Sequence, residues 1–312
     1  MGIAGNANLI SAQATYLALY QELFANGPSG VAALIAQTVP VSGKRLSVPV
    51  VTSFPRLREW IGSRVSKDLR AFRQDIDIKT YEATTTLPRL DVDADQSGAV
   101  GAHLRSFLAS AASQIDDVMI AGLIANTQAG YDGVSLLNAS HPFSSSTGNN
   151  LTTDALGFAS FRAAKAAMRA FADEDGRPLG VNPTHMLVGP QLERTALEVV
   201  GADRPVPYSA SAQDASSSIV AATTITNVYQ GECQVIVSPW IAGNQWFLMD
   251  LSKPGLRPIT RAVYREVEPV ETQVDGMSSY LRFEYDEYAF ALEGDFTFAP
   301  GLWQLIYGRV AV

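Results

Sequence analysis

Few residues in this chain could do chemistry, and the nearest approach to a reactive set is Asp132, Ser135 and His141. In a hydrolase the serine would attack, the histidine would take its proton and the aspartate would orient the ring. Gly133-Val134-Ser135-Leu136-Leu137 starts like a nucleophile elbow, yet Leu137 stands where a second glycine must allow close packing. Proximity in sequence does not build a triad, because tertiary geometry assembles such sets. His103, His141 and His185 are far apart, and none has Cys, Asp or Glu at metal-ligand spacing. A solvated or capping role is expected for His103. Turn hydrogen bonds are expected for His141 and His185, which find no catalytic partner along the chain. The single cysteine, Cys233, excludes an intrachain disulfide and reads as a small buried apolar residue. Ser42-Gly43-Lys44-Arg45 lacks the earlier glycine and the Ser or Thr of a phosphate loop. Asp91, Asp93 and Asp95 lack the glycine-bearing calcium loop, and read as a solvated acidic turn ahead of a helix N-terminus. The expectation is therefore no catalytic residue, no cofactor and no metal, with a Ser135/His141 hydrolase as the competing reading from another class.

The elements around these residues read as a mixed fold. With 312 residues, 47% hydrophobic and 17% charged, the chain can build a sizeable core. A formal net charge of −8 argues against a whole-surface nucleic-acid binder. No basic residue precedes Lys44, so no signal peptide is expected, and no uninterrupted apolar run approaches the ~20 residues that span a bilayer, so no membrane partner is expected. Apolar residues step by three and four from Gly98 to Asn126, predicting an amphipathic helix about 43 Å long with Arg105, Gln114 and Asp116 outward. Helices are also expected over Asn8–Phe24, Phe158–Phe171 and Gln191–Val200. Asp75–Leu90 alternates like a strand, and Pro88 places it at a sheet edge. Val228–Val237 and Gln245–Leu251 are expected to pair, and Leu281, Phe283 and Tyr285 to line one strand face. Strands and helices do not alternate regularly, which favours α+β.

Charge is unevenly distributed. Lys44–Arg89 holds ten basic against five acidic residues, whereas Glu266–Asp295 holds nine acidic and one basic. Such segments are either two solvated faces or complementary patches that fix register between copies.

Several short motifs occur in a characteristic order. They are Pro55-Arg56-Leu57-Arg58-Glu59-Trp60-Ile61-Gly62, Tyr81-Glu82-Ala83-Thr84 and Arg89-Leu90-Asp91-Val92-Asp93-Ala94-Asp95. After the long helix come Tyr131-Asp132-Gly133, His141-Pro142, Asn149-Asn150-Leu151, Gly176 to Thr184 and Trp303-Gln304. Together they resemble the major head subunit of Mu-type tailed phages, over about Leu9 to Gly308. Ala202–Ser218 and Pro269–Ser278 depart from that pattern.

The resemblance implies a Hong Kong 97-type capsid fold. Its parts would be an N-terminal arm (1–43), an extended E-loop (44–97), a P-domain (98–126 and 255–298) with a long spine helix, and an A-domain (127–254 and 299–312). It implies a shell of hexamers and pentamers in the virion, assembled in the host cytoplasm around double-stranded DNA contacted non-specifically. Scaffold, portal and decoration proteins are the further partners implied. An encapsulin-like compartment shell is the alternative on the same fold. Candidate contacts between copies are Arg56, Arg58, Glu59, Trp60, Arg64, Arg70 and Arg73 on the basic side. Glu266, Glu268, Glu284, Asp286 and Glu287 stand on the acidic side.

Overall fold

A computed structural model describes residues 3–24, 30–51, 59, 71–95, 97–142, 147–173, 176–202, 227–270 and 285–310. In chain order the elements are α1 (Ile3–Phe24), α2 (Val31–Ile35), β1 (Ala36–Pro40), β2 (Arg45–Val51), β3 (Ala71–Asp77) and β4 (Lys79–Pro88). Next come α3 (Arg89–Asp93), α4 (Ala99–Ala125), β5 (His141–Pro142), β6 (Thr147–Gly148), α5 (Phe158–Ala170), β7 (His185–Val188) and α6 (Glu193–Val200). The chain ends with β8 (Gln234–Val237), β9 (Trp246–Met249), β10 (Ile259–Val270), β11 (Glu287–Pro300) and β12 (Ile306–Arg309). The chain divides into two compact units, one of Met1–Ser47, Asp75–Met119 and Thr260–Ala299, the other of Val48–Gln74, Ile120–Ile259 and Pro300–Val312.

The first unit is organised by a sheet in the order β1-β10-β11-β4. β4 lies at an edge, as Pro88 requires, and pairs antiparallel with β11 from Lys79 against Phe296 to Pro88 against Glu287. Alternation puts Phe290, Leu292 and Phe296 on one face of β11, where all three are buried. Removing each of these side chains from water contributes about 1.5–3 kcal/mol. Arg261 is fully buried in β10, bonded by both terminal nitrogens to Glu266 (3.0 and 2.7 Å), with its guanidinium 5.1 Å from the Phe296 ring.

Helix α4 starts and stops within one residue of the expected span. Its buried apolar residues are Val100, Leu104, Leu108, Ile115, Met119, Ile120 and Leu123, whereas Phe107 and Val118 are half-buried beside them. Asp116 also differs from expectation. It does not face outward into water but accepts the backbone N–H groups of Val31 (3.1 Å) and Ala32 (2.7 Å), capping α2. Gly30 precedes these donors at φ 81°, and a β-carbon there would collide with the Asp116 carboxylate.

By length and composition α4 could cross a bilayer. Its capping role through Asp116, the pairing of Arg105 with Glu22 and its buried leucines describe a structural helix of this unit instead. The acidic turn before it contains a short helix, α3, closed by Arg89 Nε–Asp93 Oδ2 at 3.0 Å. Asp95 then caps α4. One carboxylate oxygen accepts from Ser97, Gly98 and Ala99 N–H and the other from Val100 N–H, at 2.9–3.2 Å.

The second unit holds a sheet in the order β12-β9-β7-β8. The expected pairing of the Val228–Val237 and Gln245–Leu251 segments is corrected here: β7 lies between them, parallel to β8 and antiparallel to β9. Met186, Leu187 and Val188 of β7 are wholly buried, so this strand requires a neighbour on each side. Asn227–Cys233 forms turns, and strand β8 begins only at Gln234. The expected strand through Leu281 and Phe283 lies outside the described residues; Tyr285 is exposed in a turn ahead of β11.

Candidate functional site

Four of the sequence motifs converge on one buried cluster of the second unit. The tight turn at Tyr131-Asp132-Gly133 presents the Asp132 carboxylate to the ring of His141, with Oδ2 2.5 Å from Nδ1. The ring is fully buried, and its Nε2 lies 3.0 Å from Asn150 Oδ1. Asn150 cannot be turned over. Its amide nitrogen donates to the carbonyls of Leu136 (2.8 Å), Trp303 (3.2 Å) and Ile306 (3.2 Å), while its oxygen accepts Asn138 N–H at 2.8 Å. Since that oxygen only accepts, Nε2 carries the proton and donates it. The His141 ring stacks on Trp303 with centroids 4.1 Å apart. Tyr131 and Gln304 exchange hydrogen bonds beside them at 2.9 and 3.1 Å.

The expectation that His141 serves a simple turn and has no partner is therefore overturned. Its partners, Asp132 and Asn150, are each nine residues away. They come together because Asn138, Asn150 and the β5–β6 pairing fold Leu136–Leu151 back on itself. Ser135 takes no part. Its hydroxyl donates to Leu137 O (3.1 Å) and lies 3.4 Å from the amides of Asn126 and Asn138. Asp132, Ser135 and His141 thus form no nucleophile–base pair, and the imidazole has both nitrogens engaged away from solvent. What the arrangement can do is hold the returning Trp303–Ile306 segment against the Tyr131–Leu151 loops. Sequence reasoning singled out the histidine and the Trp-Gln pair; it missed Asn150 as the hub.

The other chemical candidates are structural as well. Cys233 is buried, its thiol faces Pro183 O at 3.5 Å, and burial pushes it up to about 12. Nδ1 of His185 meets Thr184 Oγ1 at 2.8 Å, and desolvation lowers its pKa from the ordinary histidine value. His103 Nε2 lies 3.0 Å from Thr85 Oγ1.

Of the candidate contacts between copies, Arg56, Arg58, Trp60, Arg64, Arg70 and Glu284 lie outside the described residues. Glu59 is exposed, and Arg73 falls on β3. Glu266 is held by Arg261 within its own unit. Asp286 sits at φ 52° with its carboxylate 3.6 Å from Arg89. Glu268 is exposed and Glu287 opens β11 opposite Pro88.

The α+β architecture is that of phage capsid subunits. The capsid of bacteriophage JBD30 matches with a TM-score of 0.54 at 21% identity, covering 72% of this chain and 94% of that one. A virus-like particle from Pyrococcus furiosus shares the fold at a TM-score of 0.53 and 8% identity, covering 96% and 97% of the two chains. In sequence, the pattern of the phage capsid protein family matches residues 72–304. The chain belongs to that family, and it is a phage capsid protein with the Hong Kong 97-like fold. The major capsid protein of Escherichia phage Mu is 31% identical over 109 residues, which are 35% of this chain. That match spans 36% of the length of the Mu protein.

Proposed function

We propose that this chain is the major capsid protein of a tailed phage or prophage, assembling with copies of itself into hexamers and pentamers of an icosahedral shell around double-stranded DNA. The match of the family pattern across residues 72–304 carries this reading. The work of such a subunit is mechanical, and the His141 cluster supports that work by fixing the second unit's loops without exposing a reactive group. In this reading residues 44–97 form the E-loop, α4 is the spine of a P-domain built from 98–126 and 255–298, and 127–254 with 299–312 form the A-domain. The shell belongs to the virion and is assembled in the host cytoplasm, with scaffold and portal proteins as partners. A capsid of phage JBD30 is decorated with minor capsid protein trimers, so decoration is part of the reading.

Basic side chains of Arg56–Arg73 on one copy meet acidic residues of Glu266–Glu287 on the next. Glu268 and Glu287 are the first choices, because Glu266 and Asp286 are engaged within their own subunit. An encapsulin-like shell rests on the fold alone, through the Pyrococcus furiosus particle. Negative-stain microscopy of the purified protein, alone and co-expressed with a scaffold, tests the proposal. Closed shells, or rings of six and of five copies, are expected. A compact monomer that hydrolyses esters would overturn it.

A further inference from the structure

The ring of His141 meets a hydrogen-bond acceptor at each of its nitrogens. Asn150 Oδ1 lies 3.0 Å from Nε2, and the amide cannot turn to offer a donor there, because its nitrogen serves three carbonyls. Asp132 Oδ2 lies 2.5 Å from Nδ1. An ionised carboxylate only accepts, and a neutral imidazole carries one N–H and one lone pair. A neutral ring would therefore satisfy one of these oxygens and set its lone pair against the other.

The charges around the ring agree. The Asp132 side chain is 6% exposed, and among the described residues the cation placed to pair with it is His141. A buried carboxylate left without a positive partner is strongly destabilising. The neighbouring ionisable groups are engaged elsewhere. The Tyr131 hydroxyl exchanges hydrogen bonds with Gln304. Asp173, two residues beyond the Phe171 ring that touches Trp303, accepts Arg177 N–H at 2.8 Å. The face of the imidazole lies on the Trp303 indole, a surface that favours a cation.

We infer that His141 is held as an imidazolium carrying both ring protons, paired with an ionised Asp132, and that this pair is a proton-dependent latch on the returning Trp303–Ile306 segment. The latch works through stacking and through Asn150. The Nε2–H pins the Asn150 oxygen, which leaves the amide nitrogen aimed at the Trp303 and Ile306 carbonyls. Above about pH 6.5 a histidine of the unfolded chain is neutral and its aspartates are ionised. The folded chain then holds one proton that the unfolded chain does not, so its stability falls as pH rises. Once the folded pair gives up that proton, a lone pair faces the Asp132 carboxylate and the Trp303 stack loosens.

Asp132→Asn is the informative variant. Its amide can donate to Nδ1 from the place of Oδ2, while its oxygen can still accept Val134 N–H, as Oδ1 does at 3.4 Å. A neutral ring is then satisfied on both sides, and no extra proton is needed. Urea unfolding of the full-length chain between about pH 6.5 and 8 compares the two proteins below the range where an unfolded cysteine ionises. The wild-type unfolding constant should rise with pH more steeply than that of the variant, by up to about tenfold per pH unit. Equal slopes overturn the inference.

A second measurement does not depend on the variant folding. Nitrogen NMR of the histidine-labelled wild-type chain at neutral pH reads ring protonation directly, with His103→Gln and His185→Gln assigning the other two signals. Both nitrogens of His141 should appear as N–H. A single protonated nitrogen overturns the inference. Either result concerns one chain and leaves the shell-building reading to its own test.

Discussion

The imidazole of His141 lies flat on the indole of Trp303, with centroids 4.1 Å apart and planes 6° from parallel. Phe171 meets the same indole edge-on at 5.1 Å, and Gly148, the strand partner of His141, leaves the space that the ring fills. A β-carbon at residue 148 would overlap the Trp303 ring. Gly148→Ala is therefore expected to push Trp303 off the stack and lower stability by about 1–3 kcal/mol. Trp303 emission should change with it. An unchanged emission spectrum and unfolding midpoint would show that the ring has room to move.

Asn150 is the more demanding position. Truncation to alanine leaves the Asn138 N–H and the His141 Nε2–H without an acceptor, and removes a donor from three carbonyls. Each buried group left unsatisfied costs about 1–3 kcal/mol. Asn150→Ala should accordingly destabilise the chain by roughly 3–5 kcal/mol. Ser135→Ala should cost under about 1 kcal/mol, since Ser135 holds only one short bond. Denaturant unfolding of the two variants separates a hub from a bystander. Equal midpoints would refute the hub assignment.

How much of this was legible in the sequence depended on the range of the interaction. The span of α4 was readable because its apolar period is local, and Pro88 fixed an edge because proline lacks a donor wherever it stands. Asp116 was misread as an outward residue, since its partners Val31 and Ala32 are 85 and 84 positions away and no local pattern announces them. The β8–β9 pairing failed for a similar reason: the strand between them, β7, comes from about fifty residues earlier. In the cluster, the residues of the Tyr131, His141, Asn150 and Trp303 motifs were all visible. Their hydrogen bonds were not, because Trp303 returns from the far end of the chain.

Asp95 makes stability depend on acid. The N–H of Val100, with those of Ser97, Ala99 and Gly98, holds its carboxyl below the usual carboxylate range. A folded-state value below the unfolded one means that the contribution is complete above the unfolded range. It is lost as pH falls through the folded value. Asp95→Asn should lower the melting temperature at pH 7, and the gap from wild type should close as the pH drops below the ordinary carboxylate range. A gap that stays constant with pH would show that the cap acts without its charge.

Cys233 offers a clean test of burial. With its thiol pushed up to about 12, mainly by desolvation, almost no thiolate exists near neutral pH. A thiol reagent should label the native protein only as fast as it unfolds, and label it fully in denaturant. Rapid labelling under native conditions would mean that the Pro183 contact opens freely.

The charge pairing between copies yields the last prediction. Arg58→Glu with Arg64→Glu reverses two charges in a segment rich in arginine, and should block or slow closure of shells at moderate salt. Single exposed pairs contribute only about 0–1 kcal/mol, so one reversal should be tolerated and two repeated around a shell should not. Raising the salt weakens pairing in the wild type by screening and should narrow the difference between the two proteins. Glu268→Lys with Glu287→Lys, on the facing side, should restore part of the assembly when combined with the arginine reversals. Specific rescue is the decisive outcome, because general repulsion would be changed by any added lysine. Closed shells from the double reversal, with wild-type salt tolerance, would show that the basic and acidic segments are merely solvated faces.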